Sequence, residues 1–456
     1  MTTSITARYP QRIAWATLLT AFVTFCLLMA GIAWAINWVL FDSTIDLRTT
    51  VKVSRGTVGY TAPNDTERVV RDRYPVQTGD TLRTDELSQG HLTIADPLNN
   101  DQVLATVQLL GGSAFSLEQA ARPRFGLGDK PYTVLITDAE GSIDVIVSPN
   151  LGREIRLEIR SETYQVRLDH EGYYRLNFGI DTLEVNVRDG VAVVIDHLAE
   201  AKLIDANSTG FFRKNEATRV ETELVDLVQN PLFAAAGSDD KSVDWWGCYN
   251  YKGEEDKTSP VGIFERVFFH DRYALHIKRS QTEDNKPRST GCFRSYTTKD
   301  ANGVDVGLDV SQYDSLYIRT TLYLVNHSVN GCGAAGTECP VMMVVSFKNA
   351  QNKAEGRQSQ WIQGFYVNFN DQIGGRIRCD NCSRNHEHIN AESWYTFKSA
   401  DFVLDIPLDQ RDSLRMVELW GIDVYASGHI YDAYISELAL IGVDYDNVAR
   451  TELVEP

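Results

Sequence analysis

The chain has 456 residues, 44 basic against 62 acidic, for a formal net charge of −18, and 43% of it is hydrophobic. That length suits about two domains beyond any anchor. Its acidic surface repels phosphate backbones, which argues against nucleic acid as a partner, and would likewise be held off an anionic lipid surface beyond the anchor.

From Ile13 to Phe41 the chain is apolar, interrupted only by Thr17, Thr20, Thr24 and Asn37 and by no charge. About 20 apolar residues suffice for a helix to cross a bilayer. Trp15 at one end, with Trp34 and Trp38 at the other, places amphipathic rings at headgroup level. Residues 13–41 are therefore expected as a transmembrane helix. Arg8 and Arg12 precede it, and Asp42 and Asp46 come after it. By the positive-inside rule, residues 1–12 form a cytoplasmic tail and the rest lies on the extracellular or periplasmic side of the cell membrane. Ala33-Trp34-Ala35 also offers a cleavage pattern for a signal peptide. Cleavage would leave Ile36 to Phe41 as an apolar N-terminus, and both readings export the remainder of the chain.

Residues 49–219 read as a β-domain of many short strands, including His91 to Ala95, Gln102 to Leu109, Thr133 to Thr137, Ile143 to Val147 and Thr182 to Val187. β-branched and aromatic residues alternate there with polar ones, and Gly, Asp and Asn punctuate the runs. Gly79-Asp80 is expected to form a tight turn in which Asp80 hydrogen-bonds its own backbone. Four motifs recur from a known family: Val53-Ser54-Arg55-Gly56-Thr57-Val58; Gly79-Asp80-Thr81-Leu82-Arg83-Thr84 with Gly90-His91-Leu92-Thr93-Ile94; Gly112-Ser113-Ala114-Phe115; and Val187-Arg188-Asp189-Gly190-Val191-Ala192-Val193. Through them the chain resembles the extracytoplasmic sensing domain of FecR-type proteins, and the resemblance implies a sensing or scaffolding module. Members that act on a sigma factor carry a substantial cytoplasmic segment. The dozen residues before this span are too few to fold into one.

Asn215 to Asn230 carries Val220, Leu224, Leu227 and Val228 at helical spacing behind a candidate Asn215 cap, which predicts a short helix in a linker over 220–243. The run Gly237 to Ser242 marks the boundary of a second domain over 244–444, again alternating, with strands such as Ser315 to Leu324, Gln363 to Phe369, Trp394 to Lys398 and Val417 to Tyr425. Its closing pattern, Gly421 to Gly428 then Tyr434 to Leu440, together with Asn230-Pro231-Leu232-Phe233 and Trp245-Trp246, resembles galactose-binding-like and carbohydrate-binding jelly rolls. A tail over 445–456 ends the chain. The expected fold is thus mainly β: a transmembrane helix, a FecR-like β-domain and a β-sandwich.

Period-two parity separates Leu316, Ile318, Leu322 and Leu324 from Arg319 and its neighbours, Phe365, Val367 and Phe369 from Tyr366 and Asn368, and Ile422 and Val424 from Asp423 and Tyr425. If these strands neighbour one another, Arg319, Tyr366, Asn368, Asp423 and Tyr425 make a polar, aromatic face suited to a sugar. The plain alternative is a solvated sheet face.

Cys26 lies in the span, and Cys248, Cys292, Cys332, Cys339, Cys379 and Cys382 lie in the exported half. An even number in an oxidising compartment reads as disulfides. Six cysteines allow fifteen connectivities; local spacing suggests Cys332 with Cys339 and Cys379 with Cys382, leaving Cys248 for Cys292. Cys379 and Cys382 with His386 and His388 are also zinc-type ligands, and a disulfide is the expectation. No nucleophile elbow, His-Glu-x-x-His, phosphate loop or dinucleotide fingerprint is present in the sequence. The reading is a non-catalytic, cofactor-free surface protein that binds a glycan or an envelope protein. The alternatives are a structural subunit of an envelope assembly and a glycan-active enzyme.

Overall fold

The computed structural model describes residues 10–444 apart from 197, 215, 217, 222–224, 251–260, 281–286 and 371–372. The tail before Pro10, the tail 445–456 and Leu224 of the expected linking helix lie outside these residues. The chain is mainly β, with one long N-terminal helix.

That helix, Pro10–Asn37, begins on a proline, whose missing N–H costs nothing at a first turn, and runs on through a π-helical turn, Trp38–Asp42. Its 28 residues span about 42 Å at the usual rise, more than a hydrocarbon core of about 30 Å. Thr17 and Thr20 return their hydroxyls to the carbonyls of Ile13 and Ala16 at 2.9 and 2.8 Å, so these polar groups are satisfied within the helix, as an apolar surround requires. No part of its most apolar window is buried against the protein.

Almost no chain separates the helix from the first β-domain. Thr44–Asp46 pairs with Ala114–Pro123, and Lys130 holds Asp42 at the helix end. The strands from Thr44–Asp46 to Arg219–Glu221 close into a barrel-like circuit. Its pivot is one long strand, Tyr132–Val147, where two separate strands are expected from the sequence. The first half pairs with Ala114–Pro123 and Ile155–Arg160, and the second with Gln102–Leu109 and Gly172–Phe178. Register shifts after Leu135 and Thr137, with Asp138 at φ 52°, let it bend from one ladder into the other. Gly79 sits at φ 92°, and the Asp80 carboxylate accepts from the Gln77 N–H at 2.6 Å, the turn expected of that pair.

The helix expected over Asn215 to Asn230 is corrected: Arg219–Glu221 and Val225–Asp226 are strands. Val225–Asp226 pairs with Tyr431–Val443, and Val228, Phe233 and Val243 enter the sandwich core. Burial of those apolar residues outweighs a weak helical preference.

The second domain is a β-sandwich of two sheets, antiparallel except where the short edge strand Glu387–His388 runs parallel to Ser359–Tyr366. A back sheet runs in the order Ile263–Phe269, Arg272–Arg279, Tyr431–Val443, Ser315–His327, Trp394–Lys398. A front sheet runs Gly247–Asn250, Arg288–Ser295, Met416–Gly428, Val341–Asn349, Ser359–Tyr366, Glu387–His388. Between them pack Leu316, Ile318, Leu322 and Leu324 from one side, and Val345, Phe365, Ile422 and Val424 from the other. The inward set matches the parity of the sequence except at Phe369, which lies past the strand's end at Tyr366 and is exposed.

The outer face of the back sheet is covered by the first β-domain. Ser54 donates to the Trp394 carbonyl at 2.6 Å, Gln89 pairs with the backbone of Thr396, and the Tyr173 hydroxyl bridges Asp144 at 3.1 Å and Glu437 at 2.9 Å. Arg175 reaches Asp144 and Glu437 at 3.3 and 3.2 Å, and Arg319 pairs with Asp144. Both carboxylates are wholly buried, which is tolerable only with such partners. This corrects the placement of Arg319. It belongs to the opposite sheet from Tyr366, Asp423 and Tyr425, and its guanidinium is held between domains.

Candidate functional site

With the back sheet covered, the outer face of the front sheet is the sandwich surface left open among the described residues, over the part not under the disulfide loops. Its geometry starts from a cross-strand pair, Cys248 opposite Cys292, joined as a disulfide whose sulfurs point into the core. Alternation then turns Tyr249, Gly291 and Phe293 outward. In register, Tyr425 lies opposite Gly291, Asp423 opposite Phe293, and Val344 opposite Asp423 on the next strand. Phe293 is 46% exposed, a large apolar ring left in water on a sheet face.

Asp423 is the polar centre. The Tyr249 hydroxyl donates to both of its carboxylate oxygens, at 2.9 and 3.1 Å. Burial pushes the Asp423 carboxyl up to about 6, with the Tyr249 hydrogen bond opposing. Burial, then the charge of Asp423, pushes the Tyr425 hydroxyl up to about 12 and raises Tyr249 as well. At neutral pH the site is therefore an ionised carboxylate with lone pairs to spare, flanked by two neutral tyrosines, with the Phe293 ring 6.3 Å from that of Tyr249. Gly291 keeps the floor flat: a Cβ there would stand 2.4 Å from the Cβ of Tyr425 and 2.6 Å from the Val424 carbonyl. Such close approach is what a glycine inside a strand commonly marks. Chemically, the carboxylate can accept two neighbouring hydroxyls while the rings offer flat apolar surface.

Of the five residues expected on this face, Asp423 and Tyr425 meet there, with Tyr425 half-buried against the edge of the disulfide-closed cover. Tyr366 is on the same side of the sheet but only 5% exposed. A cover closed by Cys332–Cys339 and Cys379–Cys382 packs it with Met342 and Ile377. Asn368 is at the sheet's end, exposed, its amide donating to the His327 carbonyl at 3.1 Å. Arg319 is in the other sheet. Tyr249 and Phe293 are absent from the sequence-based set, although each neighbours a cysteine of the Cys248–Cys292 pair, and inward cysteines imply outward neighbours.

All six cysteines outside the helix are disulfide-bonded in the pairing that local spacing suggests. His386 has a ligand atom within 4.8 Å of both Cys332 and Cys339 and of both Cys379 and Cys382. Its Nδ1 accepts from the Gly364 N–H at 2.9 Å, however, and its Nε2 faces the Gly336 carbonyl at 2.8 Å. That is a neutral tautomer with both nitrogens in use, beside sulfurs that are not thiolates, so the donor set does not fit zinc. His388 stands apart, with Nε2 at 3.0 Å from the Val367 carbonyl.

No protein-family model matches the chain, and no curated protein sequence matches it. The FecR-type likeness thus rests on its quoted motifs alone. Similar solved structures include a family 11 carbohydrate-binding module from Clostridium thermocellum in complex with a β-1,3-1,4-mixed-linked tetrasaccharide. It is 15% identical, at a TM-score of 0.24, over 46% of this chain and 98% of that one. Another is the family 28 carbohydrate-binding module described as specific for non-crystalline cellulose, 14% identical, at 0.23, over 48% of this chain and 97% of that one. At these scores neither match carries an argument about the ligand.

Proposed function

We propose that the chain is a membrane-anchored, non-catalytic binding protein that presents a glycan-recognition face on its sandwich, with its N-terminus in the cytoplasm and both β-domains outside. One observation carries the reading: Asp423 lies between Tyr249 and Tyr425, beside exposed Phe293, on the open half of the front sheet. Aromatic surface around a few fixed polar groups is what sugar recognition asks for. The outward positions in register around it (Tyr249, Phe293, Val344, Ile362, Tyr425) add no second carboxylate, whereas glycoside hydrolysis commonly uses two; this favours binding over cleavage. The exposed helix, without a charge from Ile13 to Phe41, supports the anchor.

The test is a glycan array probed with the full-length chain in detergent, beside Asp423→Ala and Tyr425→Ala. Wild type should retain a subset of glycans and both variants should lose about 2 kcal/mol or more of binding while remaining folded. Variants that melt and bind like wild type would overturn this assignment, as would a wild type that retains no glycan.

A further inference from the structure

A second site lies where the two β-domains and the disulfide-bonded cover meet. A cleft of about 410 Å³ opens there, with Arg55, Gln89 and Ser142 from the first domain and Arg384, Tyr395 and Lys398 from the second. Arg319 closes its floor but is engaged by Asp144. In a chain of net charge −18, this cleft reverses the sign: its lining includes four cationic side chains and a single acid, Glu387. Arg55 already holds that acid at 2.7 Å and donates to the Tyr395 hydroxyl at 3.0 Å. Neither Arg384 nor Lys398 makes an ion pair among the described residues. The Lys398 ammonium sits 4.1 Å from the centre of the Tyr317 ring. Burial, then the charge of Arg319, lowers its pKa, so the cation stands where an anion would relieve an unfavourable position.

Size narrows the ligand. A volume in the range of small-molecule sites exceeds what a bare oxyanion fills, and Gln89, Ser142 and the Tyr395 hydroxyl add neutral polar groups to the lining. We infer that this interdomain cleft binds an acidic saccharide unit, its carboxylate or sulfate received by Arg384 and Lys398 and its hydroxyls by Gln89, Ser142 and the Arg55–Glu387 pair. The site shares no residue with the front-sheet face and does not depend on the function proposed for that face. A ligand held there would touch both domains at once.

The experiment titrates the full-length chain in neutral detergent with trigalacturonate, with maltotriose as the uncharged control and sodium sulfate as the bare anion. Neither the Arg384 nor the Lys398 side chain makes an ion pair among the described residues, so Arg384→Gln and Lys398→Gln should fold as wild type does. Saturable trigalacturonate binding is expected. It should weaken about tenfold or more in each variant, weaken further as salt is raised, and stay undisturbed by Asp423→Ala. Three results would each overturn the inference: no saturable trigalacturonate binding, maltotriose or sulfate binding as tightly, or binding that survives both substitutions. Loss of trigalacturonate binding in Asp423→Ala alone would relocate the acidic ligand to the front face and sink the cleft.

Discussion

Replacing Arg319 with Met separates a binding role from a structural one. The substitution keeps the apolar stem and removes the guanidinium that pairs with Asp144 and lies 3.5 Å from Glu437. Burial alone would raise the Glu437 carboxyl. Arg175, Arg319 and Arg188, with the Tyr173 hydroxyl, outweigh it and hold the group at about 2 rather than 4.5. At 1.36 kcal/mol per pH unit, that depression corresponds to about 3 kcal/mol of native-state stabilisation. Its sign comes from the direction: the folded pKa is below the unfolded one, so the contribution is fully present above about 4.5 and is lost as pH falls towards 2. Arg319→Met leaves two wholly buried carboxylates sharing Arg175, and breaking a buried pair costs about 3–5 kcal/mol. The expected result at pH 7 is therefore a loss of about 3 kcal/mol or more, with a shallower acid dependence than wild type. Because these residues join the domains, calorimetry should also show the main transition splitting, and the control Arg68→Met, which removes an exposed pair with Asp65, should cost under about 1 kcal/mol. If Arg319→Met unfolds within about 0.5 kcal/mol of wild type, and Asp144→Asn does the same, the buried cluster contributes little and the reasoning fails.

Glycan binding through the front face should depend on pH. Only ionised Asp423 accepts two hydroxyls, so affinity should fall about tenfold per unit below about 6, and Asp423→Asn should bind weakly with no such slope. The same group acts oppositely on stability, because its folded pKa lies above 3.8; its contribution is greatest below 3.8 and declines as pH rises to about 6, a slope that Asp423→Asn should remove in urea titrations. Protease added to spheroplasts should digest nearly the whole chain, and protection of the sandwich would reverse the proposed topology. Thiol labelling of the unfolded, unreduced protein should find Cys26 alone, whereas four or more further thiols would revive zinc at Cys379 and Cys382.

Whatever depends on near neighbours was legible in the chain itself. An uncharged run from Ile13 to Phe41 can bury itself only as a helix, whatever surrounds it. Short alternating runs between glycines could form only sheet, and Cys332 with Cys339 and Cys379 with Cys382 were near enough to pair. Parity correctly separated Leu316 and Ile318 from Arg319, and Val424 from Asp423, because alternation is a property of the strand. What the outward residues meet was settled by packing between distant segments. Arg319 faces away from its own core, yet Asp144, 175 residues distant, receives it. Tyr366 faces the same side as Tyr425 but lies under a disulfide-closed loop, and Val228, Phe233 and Val243 became core rather than linker. A period of two reports which side of a sheet a residue occupies. Whether that side meets water or another domain depends on contacts such as Ser54 with Trp394, 340 residues apart, whose complementarity no local pattern records.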